Sequence, residues 1–287
     1  MSNRNETATI VIRDIESIAD LRAVETLQKD VWGSDDLDVV PLTIFVAGRA
    51  VGATLIGAYD GASLVGFVYG FTGYENGQVT HHSHMLAVSP AYRNHQLGFK
   101  LKAAQRERVL AQGIKRITWT FDPLQSLNAH LNFRKLGVVS NSYKINFYGE
   151  ATSSFLHQIG TDRLWVTWLL DSPRVRERLQ ADQSPPLFAS AEALVRVSHG
   201  STPQKNESSE VFGQEHLSIE IPWDINALQR DDPKLALEWR AATRWAFTAA
   251  LDSDYLVEEF SSVTRDEQRI GVYLLTLGTG APASRLQ

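Results

Sequence analysis

Apolar residues in the first half of the chain switch between a two-residue and a 3.6-residue period, and the switches mark out its elements. Residues 8–13, ATIVIR, are β-branched and short, and Leu21, Val24, Leu27, Gln28 and Val31 then recur at helical spacing, so a strand and a helix are predicted. Residues 41–51 predict a second helix. ATLIGAYD, the Asp60-Gly61 pair and SLVGFVYGFTGY read as a hairpin, and Asn76-Gly77 leads into QVTHHSHMLAV, giving three antiparallel strands in succession. After Ser89-Pro90 the period becomes helical, with Leu97, Leu101, Ala104 and Val109 inward and Gly113 as the stop. Residues 117–121 predict the next strand, 127–136 a helix stopped by Gly137, and 138–149 a further strand.

The second half carries weaker signals. Residues 163–170, RLWVTWLL, read as an apolar strand. Residues 181–216 turn polar, with Pro185-Pro186 and HGSTPQKNESSE, and predict a long exposed connection. LSIEIP resumes a strand, and Asp232-Pro233 is a helix start before Leu235, Trp239, Ala242, Ala246 and Ala249 on one face. LVEEF and VYLLTL close as strands. The expected organisation is a first domain over residues 8–150 and a C-terminal α+β extension over 151–287.

Charge and composition narrow the chemistry. Lys plus Arg number 28 against 33 Asp plus Glu, a net charge of −5, so no global positive field gathers nucleic acid or an anionic membrane, and neither is an expected partner. The absence of cysteine excludes disulfides, thiolate nucleophiles and thiol-ligated metal clusters. MSNRNETAT lacks the apolar core of a secretory signal, which makes the cytoplasm the expected location. Residues 39–58 are apolar enough to suggest a membrane span, but Arg49 at their centre adds about 2.5–3.5 kcal/mol to insertion, and Pro41, Gly48, Gly52 and Gly57 interrupt them.

The informative segment is LAVSPAYRNHQLGFKL. A strand feeding a short turn and a helix start aims unpaired N–H groups and the positive helix end at one spot outside the strand. A diphosphate suits that spot: Gly98 lets the backbone approach, and Arg93, Asn94 and His95 supply donors. The same turn also describes a capped, solvated surface helix. Arg93, Gly98 and the preceding LAVSPAYR resemble the acyl-CoA loop of the Gcn5-related N-acetyltransferase superfamily, R/Q-x-x-G-x-G/A, with Gln96 at the first glycine. Downstream, Asn128, Ala129 and Lys135-Leu136-Gly137 resemble that superfamily's next helix, and the likeness spans residues 9–149.

The resemblance implies an α/β fold, a mixed, mostly antiparallel sheet with splayed central strands flanked by helices. It implies acetyl-CoA or another acyl-CoA as cosubstrate, with no metal. The pantetheine arm would pair with the main chain of residues 85–88, including Leu86, Ala87 and Val88. Arg93, Asn94, His95, Gln96, Leu97, Gly98 and Phe99 would hold the diphosphate, and Asn128 would bond the arm from the other side. The implied reaction is direct attack of an amine on the thioester, which needs a proton acceptor and an oxyanion donor.

Where the family often has a tyrosine acid, this chain has Phe133. A thiol of pKa near ~8.5 leaves without help, and Tyr143 or Tyr148 could substitute, though both also read as sheet-face aromatics. Base candidates come from THHSHM: strict alternation puts His82 and His84 on one face with Leu86 and Val88, and His81 with Ser83 on the other. A neutral imidazole accepts a proton at neutral pH, and opposite-facing histidines do not converge on zinc. Glu75 and Asp122 are secondary candidates. Arg240 and Arg244, four apart, share a helix face and could bind a carboxylate or be solvated. The second half is expected to shape the acceptor pocket or a dimer interface, so a homodimer is an expected partner. The expected activity is N-acyl transfer, acetyl by default, to a small-molecule amine such as an amino acid, against O-acyl transfer or a non-catalytic acyl-CoA sensor.

Overall fold

A computed structural model describes residues 10–33, 35–149, 158–180 and 191–278. These residues fall into two compact units, the first ending at Ile117 and the second beginning at Thr118. The fold class is mixed α/β, with mostly antiparallel sheet flanked by helices.

The first unit runs β1 (Val11–Asp14), α1 (Ile18–Trp32), α2 (Leu42–Ala50), β2 (Thr54–Asp60), β3 (Ser63–Glu75), β4 (Gln78–Val88) and α3 (Leu97–Ala111). Of the run at 8–13, residues 8 and 9 lie outside the described residues. Ser17 caps α1 by accepting the Asp20 N–H at 3.0 Å, and Gly33 ends it at φ 65°. β1 to β4 pair in sequence order, each antiparallel to the next. The β3–β4 turn places Asn76 and Gly77 at φ 50° and 79°, the left-handed pair that a two-residue hairpin turn requires. Leu55, Tyr59, Phe67, Tyr69, Met85 and Ala87 on one sheet face pack with Leu21, Val24, Leu27 and Phe45 of α1 and α2. On the other face Ile56, Ala58, Val65 and Val68 pack with Leu97 and Leu101 of α3. The alternation of the strands is therefore buried on both sides, which explains their near-continuous apolar character.

The second unit takes up β5 (Arg116–Phe121, which crosses the boundary), α4 (Ser126–Ala129), β6 (Val139–Lys144), β7 (Arg163–Leu169), α5 (Pro173–Gln180), β8 (Glu192–Val197), β9 (Pro203–Lys205), β10 (His216–Pro222), α6 (Ile225–Asp231), α7 (Pro233–Asp252), β11 (Tyr255–Arg265) and β12 (Gln268–Leu277). The helix expected at 127–136 is α4 followed by a π-helix, His130–Leu136, before Gly137 at φ 72°. The strand expected at 138–149 ends at Lys144, because the chain turns at residues 145–148.

The polar stretch 181–216 departs most from expectation. Residues 181–190 lie outside the described residues, but β8 buries Ala193, Leu194, Val195 and Val197 and pairs parallel to β10. A short apolar run inside polar sequence has too little length for its period to stand out. Asp232 caps α7 as expected, accepting the Leu235 N–H at 3.0 Å. Among the described residues no helix is long and apolar enough to cross a membrane; residues 39–58 contain α2 and the start of β2.

Candidate active site

β4 ends at Val88 and the chain turns through a 3₁₀ segment, Pro90–His95, before α3. Tyr92 anchors that turn by donating its hydroxyl to Asp60 Oδ2 at 2.7 Å. Gln96 then adopts φ 56°, ψ 23°, the left-handed conformation that favours glycine. It stands where the resemblance expects a glycine, so the backbone keeps that shape although the side chain differs. The first intrahelical bond at this end runs from Lys100 N–H to Gln96 C=O at 3.1 Å, and no side chain caps the helix. The N–H groups of Leu97, Gly98 and Phe99 precede that bond and point out of the helix end. Leu97 is fully buried and fixes the helix on the sheet, Gly98 and Phe99 are half-buried, and Arg93, His95, Gln96 and Lys100 are exposed around the opening. Asn94 belongs to the 3₁₀ segment. Leu86, Ala87 and Val88 pair on one side with Val68, Phe67 and Gly66 of β3.

The histidines sit differently from the expectation, and a bulge is the reason. Tyr69 pairs with Met85 but Gly70 pairs with Ser83, so His84 is an extra residue in β4 without a cross-strand partner. The extra residue reverses the phase. His82 and His84 still share a face, with ring centroids 6.4 Å apart, but that face carries Phe71 at 5.7 and 5.9 Å from them, together with Tyr69. Leu86 and Val88 lie on the α3 face, with His81 and Ser83. Strict alternation thus misassigned which half of β4 each histidine accompanies.

Burial lowers the pKa of all three rings. His82, half-buried, is held at about 4 by burial first and then by its neighbours His84 and Lys102, and exposed His84 is lowered by the protein around it. His81 is fully buried and is also lowered to about 4. Its Nε2 lies 3.0 Å from Thr54 Oγ1, while its Nδ1 has no hydrogen-bond partner. Glu75 pairs with Arg116 at 3.9 Å at the far end of the hairpin from the bulge.

The remaining candidates belong to the second unit. Asn128 is exposed on α4. Phe133 is fully buried against Phe121 and Tyr273, as a core residue. Tyr143 donates its hydroxyl to Asp162 Oδ2 at 2.8 Å and stacks on Phe247; burial pushes its pKa up. Tyr148 is exposed, its ring 5.1 Å from the Arg163 guanidinium. Asp122 is buried and accepts from Arg240 Nη2 at 2.6 Å and from the Leu124 N–H at 2.9 Å. Arg244 grips both oxygens of Asp162 at 2.8 Å. Both arginines of α7 therefore hold the protein's own carboxylates, and neither forms a simple solvated face. Partners so distant in sequence leave no local signal.

Sequence reasoning also missed a buried polar cluster on the α3 face: Thr54, His81, Ser83, Lys102 and Gln105. Lys102 falls at an inward helical position four residues after Gly98, which is the only hint the sequence holds. Among the described residues no group of three or more His, Asp or Glu side chains stands where it could hold a metal ion.

Residues 18–138 match the model of the Acetyltransferase (GNAT) family. That stretch of the chain is a GNAT acetyltransferase domain. It spans α1 to the π-helix and contains β4, the turn and α3. No curated protein matches the chain. Solved structures similar to it include a ribosomal-protein alanine N-acetyltransferase from Escherichia coli, at 13% identity and TM-score 0.46, covering 57% of this chain and 96% of that one. An aminoglycoside 6'-acetyltransferase type Ii is 19% identical at TM-score 0.46, covering 56% and 98%. An aminoglycoside 6'-N-acetyltransferase complexed with coenzyme A is 16% identical at TM-score 0.42, covering 56% and 98%.

Proposed function

We propose that the protein transfers an acyl group, acetyl by default, from acyl-CoA to a small-molecule amine by direct attack. The observation that carries this reading is the uncapped start of α3: outward N–H groups at Leu97, Gly98 and Phe99, a glycine-like backbone at Gln96, and Arg93 and Lys100 exposed beside them. Four cooperating features of that kind suit a diphosphate. Asn94, His95 and Gln96 complete the turn around it, and the pantetheine arm runs beside the main chain of Leu86, Ala87 and Val88 as an added strand.

In the proposed reaction the amine nitrogen forms a bond to the thioester carbonyl carbon, the C–S bond breaks, and the thiolate departs. The proton lost by the nitrogen passes to an imidazole of the His82–His84 pair, directly or through water. Both rings are neutral at pH 7 and have a lone pair to offer, while their lowered pKa values make each a weaker base than a free imidazole. The Tyr143 hydroxyl is committed to Asp162 and burial raises its pKa, so the thiolate departs without a tyrosine acid in this reading.

The buried Phe133 favours one competing reading, an acyl-CoA sensor without turnover. Thiol release from acetyl-CoA across panels of amines and alcohols separates the readings. Turnover with amines supports the proposal, turnover only with alcohols replaces it by O-acyl transfer, and binding without turnover favours the sensor.

A further inference from the structure

Five buried side chains of the first unit form one hydrogen-bonded chain on the α3 face. Lys102 Nζ donates to Ser83 Oγ at 2.7 Å, and the Ser83 hydroxyl donates to Gln105 Oε1 at 2.8 Å. Gln105 Nε2 donates to Thr54 Oγ1 at 3.1 Å, and Thr54 Oγ1 meets His81 Nε2 at 3.0 Å. None of the five is more than 5% exposed. Burying a lysine amine, an amide, two hydroxyls and an imidazole is unfavourable unless they are partnered, and burial drives the Lys102 pKa well down. The apolar side chains of α3, Leu97, Leu101 and Val109, already pack that helix on the sheet. The polar chain therefore contributes something other than adhesion.

Its position says what. Ser83 directly precedes the bulged His84, and His81 directly precedes His82. The cross-strand ladder jumps from Met85 to Ser83, so it leaves the bulged residue's orientation open. The bonds from α3 to Ser83, and through Thr54 to His81, close that freedom from behind. Lys102 lies about one helical turn from Gly98, in the helix whose first N–H groups face the proposed diphosphate.

We propose that Lys102, acting through Ser83, is a positioning residue: it locks the His84 bulge of β4 to α3, so that the helix that holds the cosubstrate also sets the imidazoles of His82 and His84. This inference rests on the acyltransferase reading. Lys102 bonds Ser83 on the α3 face, the face opposite the one that carries the His82 and His84 rings.

The test uses Lys102→Met, Ser83→Ala and the hydroxyl-keeping Ser83→Thr in the full chain. Steady-state kinetics, acetyl-CoA calorimetry and imidazole proton resonances of His82 and His84 are compared with wild type. Lys102→Met and Ser83→Ala are expected to lower kcat about tenfold or more, a loss specific to the transition state, with acetyl-CoA affinity unchanged and both imidazole resonances displaced. Ser83→Thr is expected to recover most of the rate. Retained kcat with unmoved resonances overturns the inference, as does parallel loss of kcat and cosubstrate affinity, which marks general loosening. Should Lys102→Met fail to fold, Ser83→Ala carries the comparison. If wild type binds acetyl-CoA but turns over no amine, the acyltransferase reading fails, and the resonances alone decide the tie between Ser83 and the bulge.

Discussion

Gly70 on β3 lies against the His81 imidazole of β4 with no space between them for a side chain. A Cβ at Gly70 would stand 2.4 Å from His81 Nε2 and 2.8 Å from both Gln105 Nε2 and the His82 carbonyl oxygen. Two of those obstacles belong to buried, hydrogen-bonded groups and the third is backbone, so none moves freely. Gly70→Ala is expected to lower stability by about 1–3 kcal/mol, the usual range for overpacking. Urea unfolding measures it, and an unchanged midpoint would show that β3 and β4 part there without strain.

The buried histidines make stability depend on pH. His81 has a folded pKa of about 4 against an ordinary 6.5, mainly through burial, and His82 shifts the same way. Between those values the unfolded chain binds more protons than the folded one, so stability rises with pH. The contribution is complete above about pH 6.5 and is lost as pH falls towards 4. For fully buried His81 it amounts to up to about 3 kcal/mol. Unfolding free energies measured from pH 7 to pH 4.5 should fall, and His81→Gln should flatten the fall. A slope that His81→Gln leaves untouched would contradict this origin.

Asp122 and Arg240 form a pair with side chains 8% and 3% exposed, 2.6 Å apart. Removing one partner strands a buried charge, so Arg240→Met is expected to cost about 3–5 kcal/mol. Adding Asp122→Leu should recover part of that loss, and a double-mutant cycle on unfolding free energies measures the coupling. Strict additivity would mean that the two charges are solvated independently.

Of His82→Ala and His84→Ala, the variant that removes the proton acceptor is expected to reduce turnover by about 10²-fold or more, the scale of general base catalysis, with acetyl-CoA affinity kept in both. The pH–rate profile is the sharper reading, because loss of the base removes its acid limb. If both variants keep the wild-type profile, neither imidazole takes the proton.

Much of the first unit was legible because its signals are local. Asn76-Gly77 fixes one hairpin, the helical spacing of Leu21, Val24, Leu27 and Val31 marks α1, and Ser89-Pro90 announces the turn before α3. The bulge at His84 left no such mark: it arises where β4 meets Gly70, a residue chosen by what stands over it. That one added residue reversed the face on which His81 and Ser83 lie. The π-helix at His130–Leu136 has the same apolar content as the α-helix expected there, and only the hydrogen-bond step differs. Arg240 and Arg244 read as an open pair because Asp122 and Asp162 are more than 80 residues away in sequence. β8 was hidden by the polar residues around it.

Calorimetry of acetyl-CoA binding to wild type and Arg93→Glu is the most direct measurement. Arg93 is exposed beside the start of α3 and has no packing role, so the substitution should leave thermal stability unchanged. It sets a negative charge against the diphosphate in place of a positive one. Wild-type binding with an affinity reduced about tenfold or more in the variant, some 1.4 kcal/mol, agrees with acyl-CoA held at the helix start. Equal affinity in the two proteins, or no binding by either, would contradict it.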